Sequence, residues 1–417
     1  MKLHIKNFAK IDEADIEING ITVIAGENNT GKSTVGKVLY SLFTAFNDLE
    51  EKIVFERKKA ICNKIAEYVN FRPENLEEIY DYVNHLIEIK DENEVNKVID
   101  ECPFDIDSGV KQDIKKYINF ETNEIISLIV EKIFNLEFNN QFLPIINESG
   151  EESIVLLNIK DKKISIRFND FYTLVFDKMK LNNKGIYIDN PFIIDRISEE
   201  ESDYIRIRKS FFSIFFDYNL PRHEDVLKEL LSKSIKDGGS LLEEALLKKR
   251  LKKFIAMIME TIGGKIVEKE DKFVFSFSSN NKELELANLS TGIKAFAVIL
   301  KLLENKDIQD KSIIVLDEPE VHLHPKWQLI YAELLVLLQK EFDLNIVLTT
   351  HSPYFINAIE VYSEKHNLAD KCKYYLADII KGGKTSFEDV TVDIDKIYKK
   401  LADPLQQLAD EEGEIDD

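Results

Sequence analysis

Apolar residues near the start of the chain follow strand spacing and then helix spacing. The runs "KLHIKNF" and "ADIEI" are alternating or apolar, and "ITVIA" (Ile21–Ala25) is typical of a buried strand. This strand enters a glycine-rich loop. Beyond the loop, apolar side chains recur at helical spacing, at Val35, Val38, Leu39, Leu42 and Phe46. The pattern predicts strands, a loop and an amphipathic helix.

The middle of the chain changes between helical and strand-like patterns. Residues 48–137 are charged and amphipathic, whereas 153–176 predict a β-meander and "GIYIDNPFIID" predicts a further strand. Helical character returns over about 201–261, and three short strands are predicted within 263–290. The last third alternates between strands ("SIIVLD", "NIVLTT") and a helix ("KWQLIYAELLVLLQK"), which favours a mixed or parallel α/β sheet.

The charge of the chain restricts its partners. Its formal net charge is −21 over 417 residues, and a uniformly acidic surface repels nucleic acid. Any nucleic-acid contact would therefore need a local basic patch or be made by a partner, and the alternative is that the partner is a protein. The candidate patches are "KKRLKKF" (Lys248–Phe254) and "RIRK" (Arg206–Lys209), although basic helical runs are usually solvated faces. No apolar run reaches the ~20 residues of a membrane span. Three widely spaced cysteines argue against a disulfide framework or a zinc site, so we expect a cytoplasmic protein without membrane contact.

The glycine-rich loop "GENNTGKST" has the spacing of a phosphate-binding loop. Its backbone N–H groups and the following helix N-terminus would bind phosphates, Lys32 would reach the β and γ phosphates, and the Ser33 hydroxyl would ligate Mg²⁺. The alternative is a chance glycine turn, but the preceding strand and following helix are the context that the motif requires. The predicted nucleotide-binding residues are Gly26, Glu27, Asn28, Asn29, Thr30, Gly31, Lys32, Ser33 and Thr34.

Two later strands end in residues suited to metal binding and hydrolysis. "SIIVLDEPE" places Asp317 at the end of a buried strand, as a second Mg²⁺ ligand, and Glu318 next to it, to orient the attacking water. "NIVLTTHSP" ends at His351, which would sense the γ-phosphate. The alternatives are an acidic helix cap for the carboxylates and a structural histidine. Lys32, Glu318 and His351 are thus the predicted catalytic residues.

The segment "NLSTGIKAF" predicts a second phosphate-binding surface. Ser290 is a good helix N-cap, and an apolar helical face follows it. Ser290, the Gly292 amide and the helix N-terminus would bind phosphate, with Lys294 adding charge. An ordinary capped helix is the alternative.

The order of these motifs resembles the ABC-type ATPases. Within them the chain is similar to the soluble SMC-like and OLD-family branch of AAA family ATPases, because "DEPEVHLHP" is typical of the OLD type. The resemblance covers roughly 1–45 and 280–400. It implies an α/β fold, a P-loop NTPase head of ABC type with a mixed sheet, interrupted by a mainly helical insert with a small β-meander. We expect 1–45 and 263–400 to form the head, 46–262 the insert and 401–417 an acidic tail.

The resemblance also implies an assembly and a pair of cofactors. Two heads would enclose ATP and Mg²⁺, giving a homodimer or a higher even-numbered oligomer. The P-loop, Asp317, Glu318 and His351 of one copy would face Ser290 and Gly292 of the other, and Glu320–His324 would cross the interface as the D-loop. His322 and His324 could alternatively bind a metal, and Gln141 is the candidate for the Q-loop glutamine.

The resemblance finally implies a role in bacterial antiphage defence. Too few residues follow His351 for the Toprim domain of OLD-family nucleases, so the chain resembles the ATPase half of a Septu- or PARIS-like system, regulating a separate nuclease or toxin. The alternatives are an SMC-like DNA repair ATPase and a nucleotide-gated scaffold that sequesters a toxin. A transporter subunit is disfavoured by the long insert between the P-loop and Ser290.

Overall fold

The fold was analysed in a computed structural model. The structure describes residues 1–69, 75–144, 151–197, 222–232, 241–269, 272–280 and 282–403. The basic run Arg206–Lys209 and most of the acidic tail lie outside the described residues.

The strands form one large and one small sheet. They are β1 Lys2–Phe8, β2 Ile11–Glu17, β3 Ile21–Gly26, β4 Ser153–Ile159, β5 Lys162–Phe168, β6 Thr173–Asp177, β7 Gly185–Ile188, β8 Gly264–Lys269, β9 Lys272–Phe277, β10 Glu283–Glu285, β11 Ile313–Asp317, β12 Asn345–Thr350, β13 Cys372–Ile379 and β14 Thr385–Asp389.

The helices cover both faces of the large sheet and build a separate helical cluster. They are α1 Lys32–Phe46, α2 Leu49–Tyr68, α3 Leu76–Glu88, α4 Glu92–Asp100, α5 Ser108–Ile118, α6 Thr122–Glu137, α7 His223–Ser232, α8 Leu241–Ile262, α9 Thr291–Glu304, α10 Pro325–Phe342, α11 Pro353–Lys365 and α12, residues 395–403. Short 3₁₀ turns occupy Pro191–Arg196, Leu286–Asn288 and Ala369–Lys371.

The large sheet has eleven strands in the order β6-β5-β4-β1-β2-β14-β13-β3-β12-β11-β7. Strands β13, β3, β12, β11 and β7 are mutually parallel, so their carboxyl ends share one edge. Antiparallel pairs occupy most of the other half. The predicted mixed α/β sheet is confirmed, as are the three short strands within 263–290, which form the small antiparallel sheet β10-β9-β8.

The predicted β-meander is continuous with the large sheet. Strand β4 pairs with β1 along its length, with Val155 opposite Ile5, and β5 and β6 continue the sheet outwards. Strand β7 lies at the opposite edge, parallel to β11. The strands between 153 and 188 thus extend the sheet that carries the P-loop, while the division of the chain at 46, 263 and 401 stays a prediction.

The described residues form three hydrophobic cores. One lies under α9, α10 and α11, and another on the opposite face of the sheet under α1 and α6. The third joins α2 to α5, with Ile65, Val83 and Ile99 fully or almost fully buried. These four helices of the predicted insert therefore have a core of their own, because their apolar faces meet each other.

Candidate functional site

The P-loop depends on two glycines whose backbone a larger residue would not fit. Gly26 ends β3 with φ 153°, and a Cβ there would lie 2.4 Å from the Ala377 carbonyl oxygen. Gly31, with φ 74°, occupies the N-cap position of α1. The strand, loop and helix therefore follow the predicted order, with the loop at the carboxyl edge of the sheet.

Lys32 is buried at the centre of this loop. Its Nζ donates hydrogen bonds to the carbonyl oxygens of Gly26 (3.0 Å) and Glu27 (2.7 Å) and lies 3.7 Å from Glu318 Oε1. Burial lowers the pKa of the Lys32 amine, opposed by the Glu318 and Asp317 carboxylates. The amine is therefore held between the loop and the predicted catalytic carboxylate.

The remaining loop residues surround this position. Glu27, Asn28 and Asn29 are exposed, whereas Thr30 is buried and donates a hydrogen bond to the Glu27 carbonyl oxygen (2.8 Å). Two lysines reach the loop from elsewhere, Lys10 to Asn29 Oδ1 (2.7 Å) and Lys400 to Glu27 Oε1 (3.3 Å). Thr34 is half-buried in the first turn of α1.

Asp317 ends β11, and among the described residues its carboxylate accepts hydrogen bonds from three hydroxyl groups. Ser33 Oγ donates to its Oδ1 (2.9 Å), as does Thr349 Oγ1, and Tyr187 Oη donates to Oδ2 (3.0 Å). A hydroxyl and a carboxylate oxygen at this separation are the hard ligands that Mg²⁺ prefers. The two predicted metal ligands are thus in direct contact, 284 residues apart in the sequence.

Glu318 lies between Lys32 and His351. Its backbone is left-handed, with φ 48°, and its amide donates to the carbonyl and hydroxyl oxygens of Thr349, both at 3.1 Å. The Glu318 Oε1 lies 3.5 Å from His351 Nδ1, and the His351 side chain is 43% exposed. The three predicted catalytic residues therefore form one contiguous group.

Glu320 holds the backbone that leads into His351. Its buried Oε1 accepts hydrogen bonds from Thr350 Oγ1 and from the His351 amide (3.1 Å), and burial raises the pKa of its carboxyl. Its own backbone carbonyl accepts from Gln328 Nε2 (3.3 Å). Within the predicted D-loop, Glu320 is therefore directed inwards, whereas Val321 and His324 are exposed.

The two histidines of this segment have separate structural contacts. The His322 ring packs edge-on against Phe192, and His324 Nδ1 accepts a hydrogen bond from the Lys326 amide at the start of α10. Among the described residues, neither belongs to a group of three potential metal ligands. The alternative of a metal bound by His322 and His324 has no support here.

Ser290 and Gly292 lie at the start of α9, where Ser290 is exposed and Gly292 is buried. Ser290 has the N-cap position and is exposed, but its side chain makes no capping hydrogen bond to the helix. A Cβ on Gly292 would lie 2.8 Å from the Trp327 ring, so glycine permits the close contact between α9 and α10. Ser290 thus occupies the predicted N-cap position, and its exposed hydroxyl is not bonded to its own helix.

Lys294 does not add charge to that surface, which corrects the sequence-based expectation. Its side chain is buried, with Nζ donating to Asp195 Oδ2 (2.6 Å) and to the Ala287 carbonyl oxygen (3.1 Å). The Phe192 ring lies 4.9 Å from the same amine. Lys294 therefore ties α9 to the 3₁₀ turn that follows β7.

Sequence reasoning missed the residues contributed by β7 and its neighbours. Tyr187 lies within β7, and Asp189 follows its end, next to β11 in the parallel register. His223 begins α7 and lies between Asp189 and Glu137. The signal available in the sequence was the pair of polar residues that directly follows the apolar strand "GIYI". Gln141, the proposed Q-loop residue, is exposed beyond the end of α6.

The basic cluster of α8 divides into two parts. Lys248, Lys249, Lys252 and Lys253 are exposed. Arg250 instead pairs with Asp310 and Glu341, both at 2.7 Å, and its guanidinium lies 4.1 Å from the centre of the Phe342 ring. Arg250 therefore anchors α8 to the head. No helix among the described residues has the length and apolar character to cross a bilayer.

Comparison with known proteins identifies the family. Residues 1–356 match the family described as AAA ATPase domain. A 106-residue segment is 31% identical to the Septu protein PtuA of Bacillus thuringiensis, covering 22% of this chain and 26% of that protein. The probable ATPase of retron Vc95 from Vibrio cholerae serotype O1 biovar El Tor is 20% identical over 410 residues, covering 88% of this chain and 72% of the relative.

Solved structures with weak similarity include heads of SMC proteins. The SMC head domain from Thermotoga maritima has 12% identity and a TM-score of 0.41, covering 93% of this chain and 98% of that one. The Smc head domain from Pyrococcus furiosus, solved with the C-terminal domain of ScpA, has 10% identity, a TM-score of 0.43 and 98% coverage of both chains.

The family match agrees with the site. Its 356 residues include the P-loop, Ser290, Asp317, Glu318 and His351. The resemblance to a Septu-type AAA family ATPase, inferred from the motifs, is confirmed by the family and by the named relatives. The chain belongs to the AAA ATPase domain family and is an ATPase.

Proposed function

We propose that this protein binds and hydrolyses Mg²⁺–ATP at the site formed by the P-loop, Asp317, Glu318 and His351. The cycle would regulate a separate nuclease or toxin in antiphage defence, in the cytoplasm. The observation that carries the first part is the convergence of Lys32, Ser33 and Asp317 with Glu318 and His351 at one edge of the sheet.

The chemistry follows from the positions of these side chains. The P-loop amides and the N-terminus of α1 would bind the β and γ phosphates, and Lys32 would exchange its two carbonyl partners for phosphate oxygens. Ser33 and Asp317 would hold Mg²⁺, which neutralises phosphate charge. Glu318 would orient the attacking water and accept its proton as the bond from the γ-phosphorus to the bridging oxygen breaks.

The second half of each site would come from another copy of the chain. Ser290 is exposed and makes no capping hydrogen bond, so its hydroxyl is free of its own helix to meet a γ-phosphate bound to a second copy. The N-terminus of α9 adds a favourable dipole for an anion. ATP would then bring two heads together, and hydrolysis would release them.

The proposed effector control is supported by the relatives. The chain is similar to the Septu protein PtuA and to the probable ATPase of retron Vc95, in agreement with the resemblance to Septu-type defence ATPases. The helical cluster α2–α5, which has its own core, is a suitable surface for such a partner. DNA repair remains an alternative, for which the four exposed lysines of α8 are the candidate contact.

Replacing Glu318 with glutamine tests the proposed function. The amide keeps the size of the side chain but cannot accept the proton, so we expect steady-state ATP turnover to fall at least a hundredfold while ATP binding persists. Protection of cells against phage should be lost with it.

The matched control is Glu388→Gln. Glu388 is an exposed residue of β14, and its carboxylate pairs with Lys396. Turnover should be unchanged in that variant. If Glu318→Gln removed turnover but left protection complete, a scaffold that binds ATP without needing its hydrolysis would be favoured instead. Turnover persisting in the Glu318→Gln variant would contradict the assigned role of Glu318.

A further inference from the structure

A group of charged residues, in which His223 and Glu137 are buried and Asp189 is half-buried, lies behind the metal-binding edge of the sheet. His223 Nδ1 donates to Glu137 Oε1 (2.6 Å), and its Nε2 donates to Asp189 Oδ2 (3.0 Å). The side chains of His223 and Glu137 are only 7% and 3% exposed. We call Glu137, His223 and Asp189 the histidine cluster.

The two carboxylates favour the charged form of His223. Burial alone would lower the pKa of His223, but the hydrogen bonds to Asp189 and Glu137 raise it to about 9. The same contact with His223 lowers the pKa of Asp189 despite burial. Removing either carboxylate would leave a buried charge without its partner, which strongly destabilises the folded protein. The three side chains are therefore held in one arrangement.

The histidine cluster joins elements that are far apart in the sequence. Glu137 is the last residue of α6, His223 is the first residue of α7, and Asp189 follows β7. Glu137 also lies 3.7 Å from Lys37 Nζ on α1, the helix that begins at the P-loop. The contacts of Glu137 and His223 therefore connect α6 and α7 to α1 and to the end of β7.

Tyr187 connects this cluster to Asp317. Its ring centre lies 4.7 Å from that of His223, and its hydroxyl donates to Asp317 Oδ2 at 3.0 Å. The ring is 1% exposed and packs against Gly36 of α1, where a Cβ would lie 3.2 Å from its Cε2 atom. The tyrosine cannot shift without moving either the histidine or the carboxylate, because it is packed on all sides.

A metal site within the cluster is a less suitable interpretation. His223, Asp189 and Glu224 lie close enough together to offer three ligands. In the charged imidazole, however, both ring nitrogens carry protons that are donated to carboxylates, and a metal would require a deprotonated nitrogen.

We propose that the histidine cluster acts through Tyr187 as a positioning device that couples helices α6 and α7 to the Asp317 carboxylate. Movement of these helices would reorient Asp317, and binding of Mg²⁺–ATP would in turn immobilise the helices, since energetic coupling is reciprocal. The inference rests on the proposed role of Asp317 as a metal ligand.

The first test measures how strongly Mg²⁺ assists ATP binding. In the Glu318→Gln protein, which holds ATP without turnover, the dissociation constant of ATP is measured with Mg²⁺ and with a chelator. We call the factor by which Mg²⁺ lowers this dissociation constant the gain from Mg²⁺. Adding Tyr187→Phe removes only the hydroxyl, so we expect the gain from Mg²⁺ to fall by about tenfold. Tyr375→Phe is the matched control, because that buried hydroxyl bonds the Glu17 amide on another part of the sheet.

The second test asks whether the cluster acts through the tyrosine. Glu137→Gln alone should reduce the gain from Mg²⁺, and adding Tyr187→Phe should cause little further loss, since both changes remove one linkage. The matched control is Glu333→Gln, which alters a His366–Lys365–Glu333 group between α10 and α11. If the losses caused by Glu137→Gln and by Tyr187→Phe multiplied in the double variant, the two residues would act independently, and the proposal would be overturned.

A third measurement reports on the helices themselves. Amide hydrogen exchange at the end of α6 and the start of α7 should slow when Mg²⁺–ATP binds to the Glu318→Gln protein, and Tyr187→Phe should abolish that change. Unchanged exchange in these helices on binding would overturn the coupling.

The Asp317→Asn variant separates this inference from the proposed function. If Asp317→Asn removes the gain from Mg²⁺ while Tyr187→Phe and Glu137→Gln leave it intact, the metal site stands and the coupling is wrong. If Asp317→Asn leaves the gain intact, the metal site itself is wrong, and the coupling fails with it.

Discussion

At the scale of single residues, backbone conformation explains how two adjacent carboxylates serve different partners. Asp317 ends a strand, and Glu318 turns at once into the left-handed region, which costs about 1–2 kcal/mol for a residue with a side chain. Two hydrogen bonds from the Glu318 amide to Thr349 offset this cost. Asp317 therefore stays with Ser33, while Glu318 reaches Lys32 and His351.

His223 makes the stability of the protein depend on pH. Its pKa is raised from 6.5 to about 9 by Glu137 and Asp189, so its contribution is complete below about pH 6.5 and is lost as pH rises through 9. Among the described residues, the carboxylate of Glu224 and the rings of Tyr40 and Tyr187 also lie near it. At about 1.4 kcal/mol per pKa unit the contribution is roughly 3 kcal/mol.

The measurement is the free energy of unfolding of wild type and His223→Gln as a function of pH. The difference between them should be largest near pH 6 and shrink towards pH 10. Glu137→Gln, which removes one of the two carboxylates, should show a smaller pH dependence than wild type. A difference that stays constant across this range would show that folding does not raise the pKa of His223.

Local sequence pattern was enough to propose the residues that would carry out the chemistry, but not to find the residues that contact and support them. Lys32, Ser33, Asp317 and Glu318 occur in short motifs with fixed spacing. The pairing of His223 with Glu137 spans 86 residues, and no local periodicity reports such a contact. The inward direction of Lys294 was missed for a related reason, since its partner Asp195 is 99 residues away.

At the scale of elements, the close approach of α1 to the sheet depends on Gly36. A Cβ at this position would lie 2.7 Å from Val315 Cγ1 and 3.2 Å from Tyr187 Cε2. Helix α1 therefore lies directly against β11 and β7, the strands that hold Asp317 and Tyr187.

Gly36→Ala tests this packing. Helix propensity alone would stabilise the protein by about 1 kcal/mol, whereas overpacking a tight contact costs about 1–3 kcal/mol. We expect net destabilisation in denaturant unfolding and weaker ATP binding, because α1 carries the P-loop. Thr44→Ala, at a half-buried position of the same helix, is the control and should be neutral or slightly stabilising. Stabilisation by Gly36→Ala would show that α1 does not lie this close to β11.

Strand identity was easier to predict than strand pairing. The apolar runs that became β3, β11 and β12 were evident, and so was the meander of β4 to β6. That β4 pairs with β1 could not be predicted, because alternation specifies which face of a strand is buried and not which strand lies beside it. The position of β7 next to β11 was missed in the same way, and Asp189 with it.

At the scale of the whole molecule, the distribution of cores separates the nucleotide site from the helical cluster. Helices α2–α5 pack among themselves, while α6 packs under the large sheet and ends at Glu137 in the histidine cluster. The net charge of −21 favours the proposed protein partner over nucleic acid, and in the proposed coupling a change at the metal-binding edge would reach α6 and α7.

The exposed position of Ser290 predicts that assembly depends on ATP. In the proposed assembly a second copy completes each site, so Ser290→Arg should prevent ATP-dependent association. The change should not affect the fold, because the Ser290 side chain faces solvent. Ser108→Arg, an equally exposed change at the start of α5, is the matched control and should leave association unchanged.

The most direct measurement is the molar mass in solution of the Glu318→Gln protein, with and without Mg²⁺–ATP. The mass should double when ATP is added, and the doubling should disappear in the Glu318→Gln, Ser290→Arg double variant. A mass that ATP leaves unchanged, or a doubling that survives Ser290→Arg, would contradict a site completed by two copies of the chain.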